Sequence, residues 1–314
     1  MPTPAARQRL PLLDLIGNTP LLPLTFASEG VTVFAKAEFL NPSGSIKDRF
    51  ARCVIEDAER SGLLRADSII LECTSGNTGI SLAMVGAVKG YRVRILMSNT
   101  ASIERRSLMQ HFGAEVQLFT ATHGYATGID LSREMAAIDP RYFLPRQFEN
   151  WLNAHDHEEH TGREILEQTR GRVDAFVAGY GTGGTLTGCA RALRTANPAV
   201  RIFAMEPAEA AMLSGECPCC HYIEGIAGGY VPPLLREAKL DGIIKVNSAD
   251  ALDMARRLSR EFGLLVGTSS GANVVAALRA AQAIGGQARV ATVLCDRAER
   301  YYSTRLFAAP DAAK

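Results

Sequence analysis

The chain has 314 residues, long enough for two domains with an ample core. Its 34 basic and 33 acidic residues nearly cancel to a formal charge of +1, and no Lys/Arg run concentrates the basic ones, which excludes a nucleic-acid or polyanion binder. No apolar stretch is long enough to span a bilayer, Met1 to Leu10 lack a signal core, and seven cysteines in so long a chain make no disulfide framework, so a cytoplasmic protein is expected.

In chain order, residues 1–10 read as a frayed leader and Ile16-Gly17-Asn18-Thr19-Pro20 as a turn. Val31 to Lys36 alternates like a strand, and a helix follows Lys47 to about Gly62. Ser68 to Cys73 is a short buried strand, Thr78 to Lys89 a helix closed by Gly90, and Arg92 to Met97 a strand. A helix at Ser102 to His111, a strand at Glu115 to Phe119, a helix at Gly124 to Ala137 and the apolar run Tyr142-Phe143-Leu144 come next. His155 to Gln168 reads as helix. The second half continues with strands at Asp174–Ala178, Val200–Met205, Ile243–Val246 and Val290–Cys295, and helices at Gly183–Leu193, Ala249–Glu261 and Ser270–Ala283. An irregular stretch occupies roughly 207–240. This alternation predicts an α/β fold of parallel sheets with helices on both faces. Cys53, Cys73, Cys189 and Cys295 lie in apolar runs and read as core residues.

Four stretches carry candidate chemistry. Asn41-Pro42-Ser43-Gly44-Ser45-Ile46-Lys47-Asp48-Arg49 runs from a turn into an amphipathic helix with Lys47 at its mouth. The partial positive charge of a helix start disfavours an ammonium, and a lysine of depressed pKa suits Schiff-base chemistry; a solvated surface lysine is the plainer alternative. Thr74-Ser75-Gly76-Asn77-Thr78-Gly79 opens a helix with small residues, either an ordinary N-cap or a carboxylate site. Gly179-Tyr180-Gly181-Thr182-Gly183-Gly184 formally satisfies the dinucleotide pattern G-x-G-x-x-G, with Glu206 closing the next strand, so an NAD-dependent oxidoreductase is a rival. The mid-chain position and the hydroxyls of Thr182 and Thr185 favour a cup for a single phosphate instead. Ser269, in Gly267-Thr268-Ser269-Ser270-Gly271, would alone pass for a helix N-cap.

Taken together with Ile16-Gly17-Asn18-Thr19-Pro20-Leu21, these stretches fall in the order and spacing of the cysteine synthase (O-acetylserine sulfhydrylase) family, and the chain resembles those fold-type-II pyridoxal-phosphate (PLP) enzymes over roughly residues 11–305. The resemblance implies a tryptophan synthase β-like fold with a large domain at 11–40 plus 152–314 and a small mobile domain, 41–151, inserted in it. It implies that Lys47 carries PLP and acts as catalytic base, and that Gly181, Thr182, Gly183, Gly184 and Thr185 hold the phosphate. Ser269 then meets the pyridine nitrogen and Asn77 the phenolic oxygen. Thr74, Ser75, Gly76, Asn77, Thr78 and Gln147 take the substrate carboxylate. The implied reaction is β-replacement, O-acetyl-L-serine plus sulfide giving L-cysteine and acetate through an α-aminoacrylate, in a cytoplasmic homodimer with serine acetyltransferase as a possible partner.

The chain departs from the family in three places. Ile223-Glu224-Gly225-Ile226-Ala227-Gly228-Gly229-Tyr230-Val231-Pro232 resembles the sulfide-using branch and cystathionine β-synthase. Cys295-Asp296-Arg297-Ala298-Glu299-Arg300-Tyr301 resembles cysteine synthase B, which accepts bulkier sulfur donors, and Arg163 replaces a usual proline. Sulfide, thiosulfate, homocysteine or an amine thus remain open as nucleophile, and no haem-binding extension or regulatory tail is expected. Cys217-Pro218-Cys219-Cys220-His221 matches no family motif. Its spacing is poor for one tetrahedral metal ion, and no metal is expected; a two-ligand contribution from Cys217, Cys219, Cys220 and His221 to a site completed elsewhere or by a neighbouring subunit, a redox-responsive loop, and a loop that merely tolerates cysteines stay as alternatives.

Overall fold

The structure is a computed structural model that describes residues 11–120, 125–216, 219–285 and 287–308; the expected leader, and Cys217 and Pro218 of the cysteine cluster, lie outside these residues. In chain order a hairpin of β1 (Leu21–Phe26) and β2 (Val31–Lys36) precedes α1 (Lys47–Arg60), β3 (Ile69–Cys73), α2 (Asn77–Lys89), β4 (Arg92–Ser98), α3 (Ile103–His111), β5 (Glu115–Phe119), α4 (Tyr125–Ile138) and β6 (Tyr142–Phe143). Then come α5 (Leu152–Asp156), α6 (Arg163–Thr169), β7 (Ala175–Gly179), α7 (Gly184–Ala196), β8 (Arg201–Pro207), β9 (Gly242–Val246), α8 (Ser248–Phe262), α9 (Thr268–Ile284) and β10 (Val290–Val293).

The chain divides into two compact units, one built from residues up to 16 and 41–147, the other from 17–40 and 148 onward. The first holds a four-stranded parallel sheet in the order β5-β4-β3-β6. Its inner strand β3 is buried along its whole length, whereas the edge strand β5 is buried nowhere, as expected when helices cover a sheet centre and leave its rim wet. Helix α2 leaves β3 and ends at Gly90, which adopts the left-handed conformation (φ 85°) of a helix C-cap.

The second unit holds a six-stranded sheet, β1-β2-β10-β7-β8-β9, parallel except for β1. The periodicity predicts only a turn before Leu21, because Pro23 interrupts the alternating run. Here Leu21–Phe26 forms an antiparallel edge strand, a place where a proline without an N–H is tolerated. Helix α9 is the central helix of this unit. Ala272, Ala276, Ala277, Ala280 and Ala281 are all buried in it, and side chains this small let it lie close to its neighbours. The helical run expected from His155 starts earlier, at Leu152, and passes through one π-helical turn, His157–Gly162, between α5 and α6. Two of the four cysteines assigned to the core, Cys53 and Cys295, are only half-buried; Cys73 and Cys189 are buried. Burial pushes the Cys73 thiol pKa up, keeping it protonated and inert.

A close approach fixes α7 on the π turn. A Cβ on Gly188 would lie 2.1 Å from the Ala154 carbonyl oxygen and 2.7 Å from the Glu158 nitrogen, so backbone meets backbone there. Alanine favours helix over glycine by about 1 kcal/mol, but overpacking costs about 1–3 kcal/mol. Gly188→Ala is therefore expected to lower the unfolding free energy in urea, by about 1 kcal/mol net. A rise in the urea midpoint would mean that the contact has room to spare.

Candidate active site

In the first unit, strand β3 delivers Thr74–Gly76 directly to the N-terminus of α2. Ile80 donates to the Gly76 carbonyl (2.9 Å) as the helix begins, and Gly76 N–H is turned back to the Thr74 hydroxyl (3.1 Å). The N–H groups of Ser75, Thr78 and Gly79 find no acceptor among the described residues. They are the orphan donors of a helix start, and they suit a carboxylate or phosphate.

Side chains behind this loop hold its shape. Gln147 accepts from the Thr78 hydroxyl (2.6 Å) and donates to the Cys73 carbonyl (2.9 Å), stitching the strand end to the helix start. Glu72, 5% exposed, accepts from Cys73 N–H (2.9 Å) and Gln147 N–H (3.1 Å). Gln147, expected at the substrate carboxylate, is bonded through both its amide oxygen and its amide nitrogen to the residues that frame this loop. Asn77 is the first residue of α2 and half-buried, and Lys47 is the first residue of α1 and half-buried. The turn into Lys47 is closed by Asp48, which is buried and accepts from Ser43 N–H (2.7 Å), from the Ser43 hydroxyl and from the Ser81 hydroxyl on α2 (2.6 Å). A carboxylate in the first helical turn also complements the dipole that disfavours its lysine neighbour.

The second unit repeats the device. Strand β7 ends at Gly179, whose N–H donates to Asn273 Oδ1 (2.7 Å) on α9, and the chain enters Gly181-Thr182-Gly183 before α7. Gly183 adopts φ 85°, and a Cβ there would lie 2.9 Å from Leu235 N, so glycine is required on both counts. The N–H groups of Gly183, Thr185 and Leu186 find no acceptor among the described residues. Thr182 Oγ1 accepts from Asn153 Nδ2 (2.9 Å) and Gly184 N–H (3.3 Å), which leaves its own proton to donate outward. Thr185 Oγ1 lies 3.2 Å from Nε2 of the buried His157, whose Nδ1 is 2.9 Å from the Thr161 hydroxyl. In the tautomer protonated on Nε2, His157 donates to Thr185 and frees that hydroxyl's proton for an anion. Ser269 lies in the first turn of α9, one residue past Thr268, with Gly267 as N-cap. It is 4% exposed, and its hydroxyl makes no hydrogen bond to any described residue, unlike Thr268, which accepts from Glu224 N–H, and Ser270, which accepts from Cys295 N–H.

Other candidates are spent elsewhere. Glu206, the acidic residue of the dinucleotide rival, is fully buried and accepts from Leu213 N–H (2.9 Å), Ser214 Oγ (2.5 Å) and Tyr180 OH (3.4 Å), leaving no oxygen for a ribose. Cys219 and Cys220 are exposed, but His221 Nδ1 accepts from Ile223 N–H (3.2 Å) and its Nε2 faces the Ala227 carbonyl (3.4 Å), so both ring nitrogens are engaged with backbone. No group of three metal-ligating side chains forms among the described residues. Arg163, in place of the usual proline, points outward to Glu159 (2.7 Å). Sequence reasoning missed Glu72, Asn153, His157 and Asn273. Glu72 alone left a signal, a charge between the apolar residues Ile69-Ile70-Leu71 and Cys73.

A family model described as pyridoxal-phosphate dependent enzyme matches residues 12–296. The chain belongs to that family. It is 42% identical over 303 residues to a cysteine synthase of Staphylococcus aureus, covering 96% of this chain and 97% of that one, which places it in the cysteine synthase family of PLP-dependent enzymes. The crystal structure of an O-ureido-L-serine synthase is similar, with a TM-score of 0.90 at 42% identity over 96% of this chain and 97% of that one. An O-acetylserine dependent cystathionine β-synthase from Helicobacter pylori has a TM-score of 0.90 at 34% identity, over 95% and 98% of the two chains. The fold-type-II α/β architecture expected from the resemblance is thus that of this PLP-dependent family.

Since the Ser269 hydroxyl contributes no bond to the protein itself, Ser269→Ala is expected to lower the stability of cofactor-free protein by no more than about 0.5 kcal/mol in urea unfolding. A loss above about 2 kcal/mol would reveal a structural partner for this hydroxyl.

Proposed function

We propose that the protein catalyses β-replacement on a β-substituted L-serine, with O-acetyl-L-serine and sulfide as substrates and L-cysteine and acetate as products. The observation that carries this reading is the hydroxyl of the buried residue Ser269, which bonds to no described residue. A neutral hydroxyl facing the pyridine nitrogen of PLP leaves that nitrogen largely unprotonated, which favours loss of a β-leaving group over transamination or racemisation. The residues fit the cofactor: the unpartnered N–H groups of Gly183, Thr185 and Leu186, with the Thr182 and Thr185 hydroxyls, suit its phosphate. When bound, PLP supplies the electron sink for bond breaking at Cα.

On this reading Lys47 is the attachment lysine, and its freed Nζ takes the Cα proton as general base. Asp48, pinned by Ser43 and Ser81, fixes the helical turn from which Lys47 projects. The Ser75, Thr78 and Gly79 N–H groups hold the substrate carboxylate, Asn77 stands beside them for the cofactor's phenolic oxygen, and Gln147 keeps the loop in shape. A homodimer in the cytoplasm, with serine acetyltransferase as a protein partner, completes the proposal; among the described residues no helix is long and apolar enough to cross a membrane.

Purified protein is expected to absorb as a lysine-bound PLP enzyme, and mass spectrometry after borohydride reduction is expected to find the cofactor on Lys47. Lys47→Ala should reduce turnover at least ~10³-fold, the scale of losing a general base. O-acetyl-L-serine alone should shift the cofactor absorbance and release acetate, and sulfide, thiosulfate and homocysteine should restore the spectrum at different rates. Sulfide is expected to be fastest; restoration only by homocysteine would reassign the protein to cystathionine synthesis. No acetate release from any β-substituted serine would overturn the reading.

A further inference from the structure

Helix α7 opens with a glycine that makes room for an amide. Asn153, on α5, is 1% exposed. A Cβ built on Gly184 would lie 2.3 Å from its Oδ1, 2.5 Å from its Cγ and 2.9 Å from its Nδ2, so any side chain at 184 would drive the amide from its place. Asn150 closes the turn before it, accepting Leu152 N–H on its side chain (3.0 Å) and Asn153 N–H on its carbonyl (3.1 Å). The amide is thus held from both sides, by the glycine it covers and by the turn that carries it.

Seated there, Asn153 decides what the Thr182 hydroxyl can do. A hydroxyl has two lone pairs and one proton. Thr182 Oγ1 accepts from Asn153 Nδ2 (2.9 Å) and from Gly184 N–H (3.3 Å), which occupies both lone pairs. Thr182 is 5% exposed, and its proton reaches no acceptor among the described residues. A buried donor left unmade is unfavourable until a ligand oxygen completes it. A carboxylate oxygen in the place of Nδ2 would draw that proton back into the fold and leave a lone pair facing the ligand, which repels an anion. One N–H therefore sets the polarity that this hydroxyl presents.

We propose that Asn153 is a positioning residue for the cofactor phosphate: by donating to Thr182 Oγ1 it holds that hydroxyl as a donor and gives the loop 181–185 its preference for a phosphate ester over a neutral alcohol. Asn153 acts through Thr182 and touches no reacting atom. The inference rests on the reading of this loop as the phosphate site, and adds the residue that polarises it.

The test compares PLP with pyridoxal, which carries a neutral alcohol where PLP carries the phosphate ester. Full-length protein freed of cofactor is titrated with each, followed by the absorbance of the lysine-bound carbonyl. The ratio of the two dissociation constants cancels any loss of folding common to both. Wild type is expected to favour PLP. Thr182→Val should shrink that preference about tenfold to a hundredfold, the scale of one hydrogen bond to a charged group. Asn153→Ala should shrink it less, about threefold to tenfold, because Gly184 N–H still holds one lone pair. Added to Thr182→Val, Asn153→Ala should change nothing more, since the hydroxyl it acts on is gone. Asn153→Asp, close in shape to the native residue but unable to donate, should shrink the preference more than Thr182→Val, and is the variant read if Asn153→Ala fails to fold. A preference unchanged in Asn153→Ala or Asn153→Asp, or an alanine effect that adds in full to that of Thr182→Val, overturns the role of Asn153. A preference unchanged in Thr182→Val overturns the phosphate reading of the loop, and wild-type protein that fails to distinguish the two compounds overturns both.

Discussion

The first four N–H groups of an α-helix have no partner within it, and in both units of this chain a buried strand ends where such a helix begins. Strand β3 runs into α2 and strand β7 into α7, and in each case three N–H groups stay without an acceptor among the described residues. Leaving donors unmade in a largely buried place is unfavourable unless a ligand completes them. The rest of each unit is arranged to keep these donors open and correctly aimed. Small residues line the loops, and the side chains that would otherwise cap the helices are drawn backward into the fold.

That backward pull falls on amides and hydroxyls, which both donate and accept. Gln147 joins Thr78 to Cys73 in one unit. In the other, Asn273 joins Gly179 N–H to the Val293 carbonyl, and Asn153 reaches Thr182. Each net hydrogen bond contributes about 0.5–1.5 kcal/mol, so their importance lies less in total stability than in fixing loop geometry before a ligand arrives. Ser269 is the exception: its neighbours on either side bond back to the protein and it does not.

Much of this was legible in the sequence because glycines and apolar runs report local structure. The run Ser68 to Cys73 followed by Thr-Ser-Gly-Asn gave strand and helix start within a residue, and Gly90 marked the stop. What stayed hidden depended on distant partners. Pro23 concealed β1, because only its place at the sheet edge makes a proline acceptable. His157 and Asn153 looked like ordinary helical residues until α7 was seen to pack on the π turn.

The two sheets differ in how much of the chain must exist before they can form. The four strands of the first lie between Ile69 and Phe143, so ribosomal synthesis presents them as one continuous block. In the second, β2 has β10 as its parallel neighbour, Val33 opposite Val290, so a strand made near the start waits for one made near the end. Until then the hairpin of β1 and β2 has an open edge of unpaired backbone groups. Nonlocal pairing of this kind slows folding and lengthens exposure of that edge. A ribosome stalled before Val290 would leave a product whose smaller sheet can be complete while the larger one lacks the strand that joins β2 to β7.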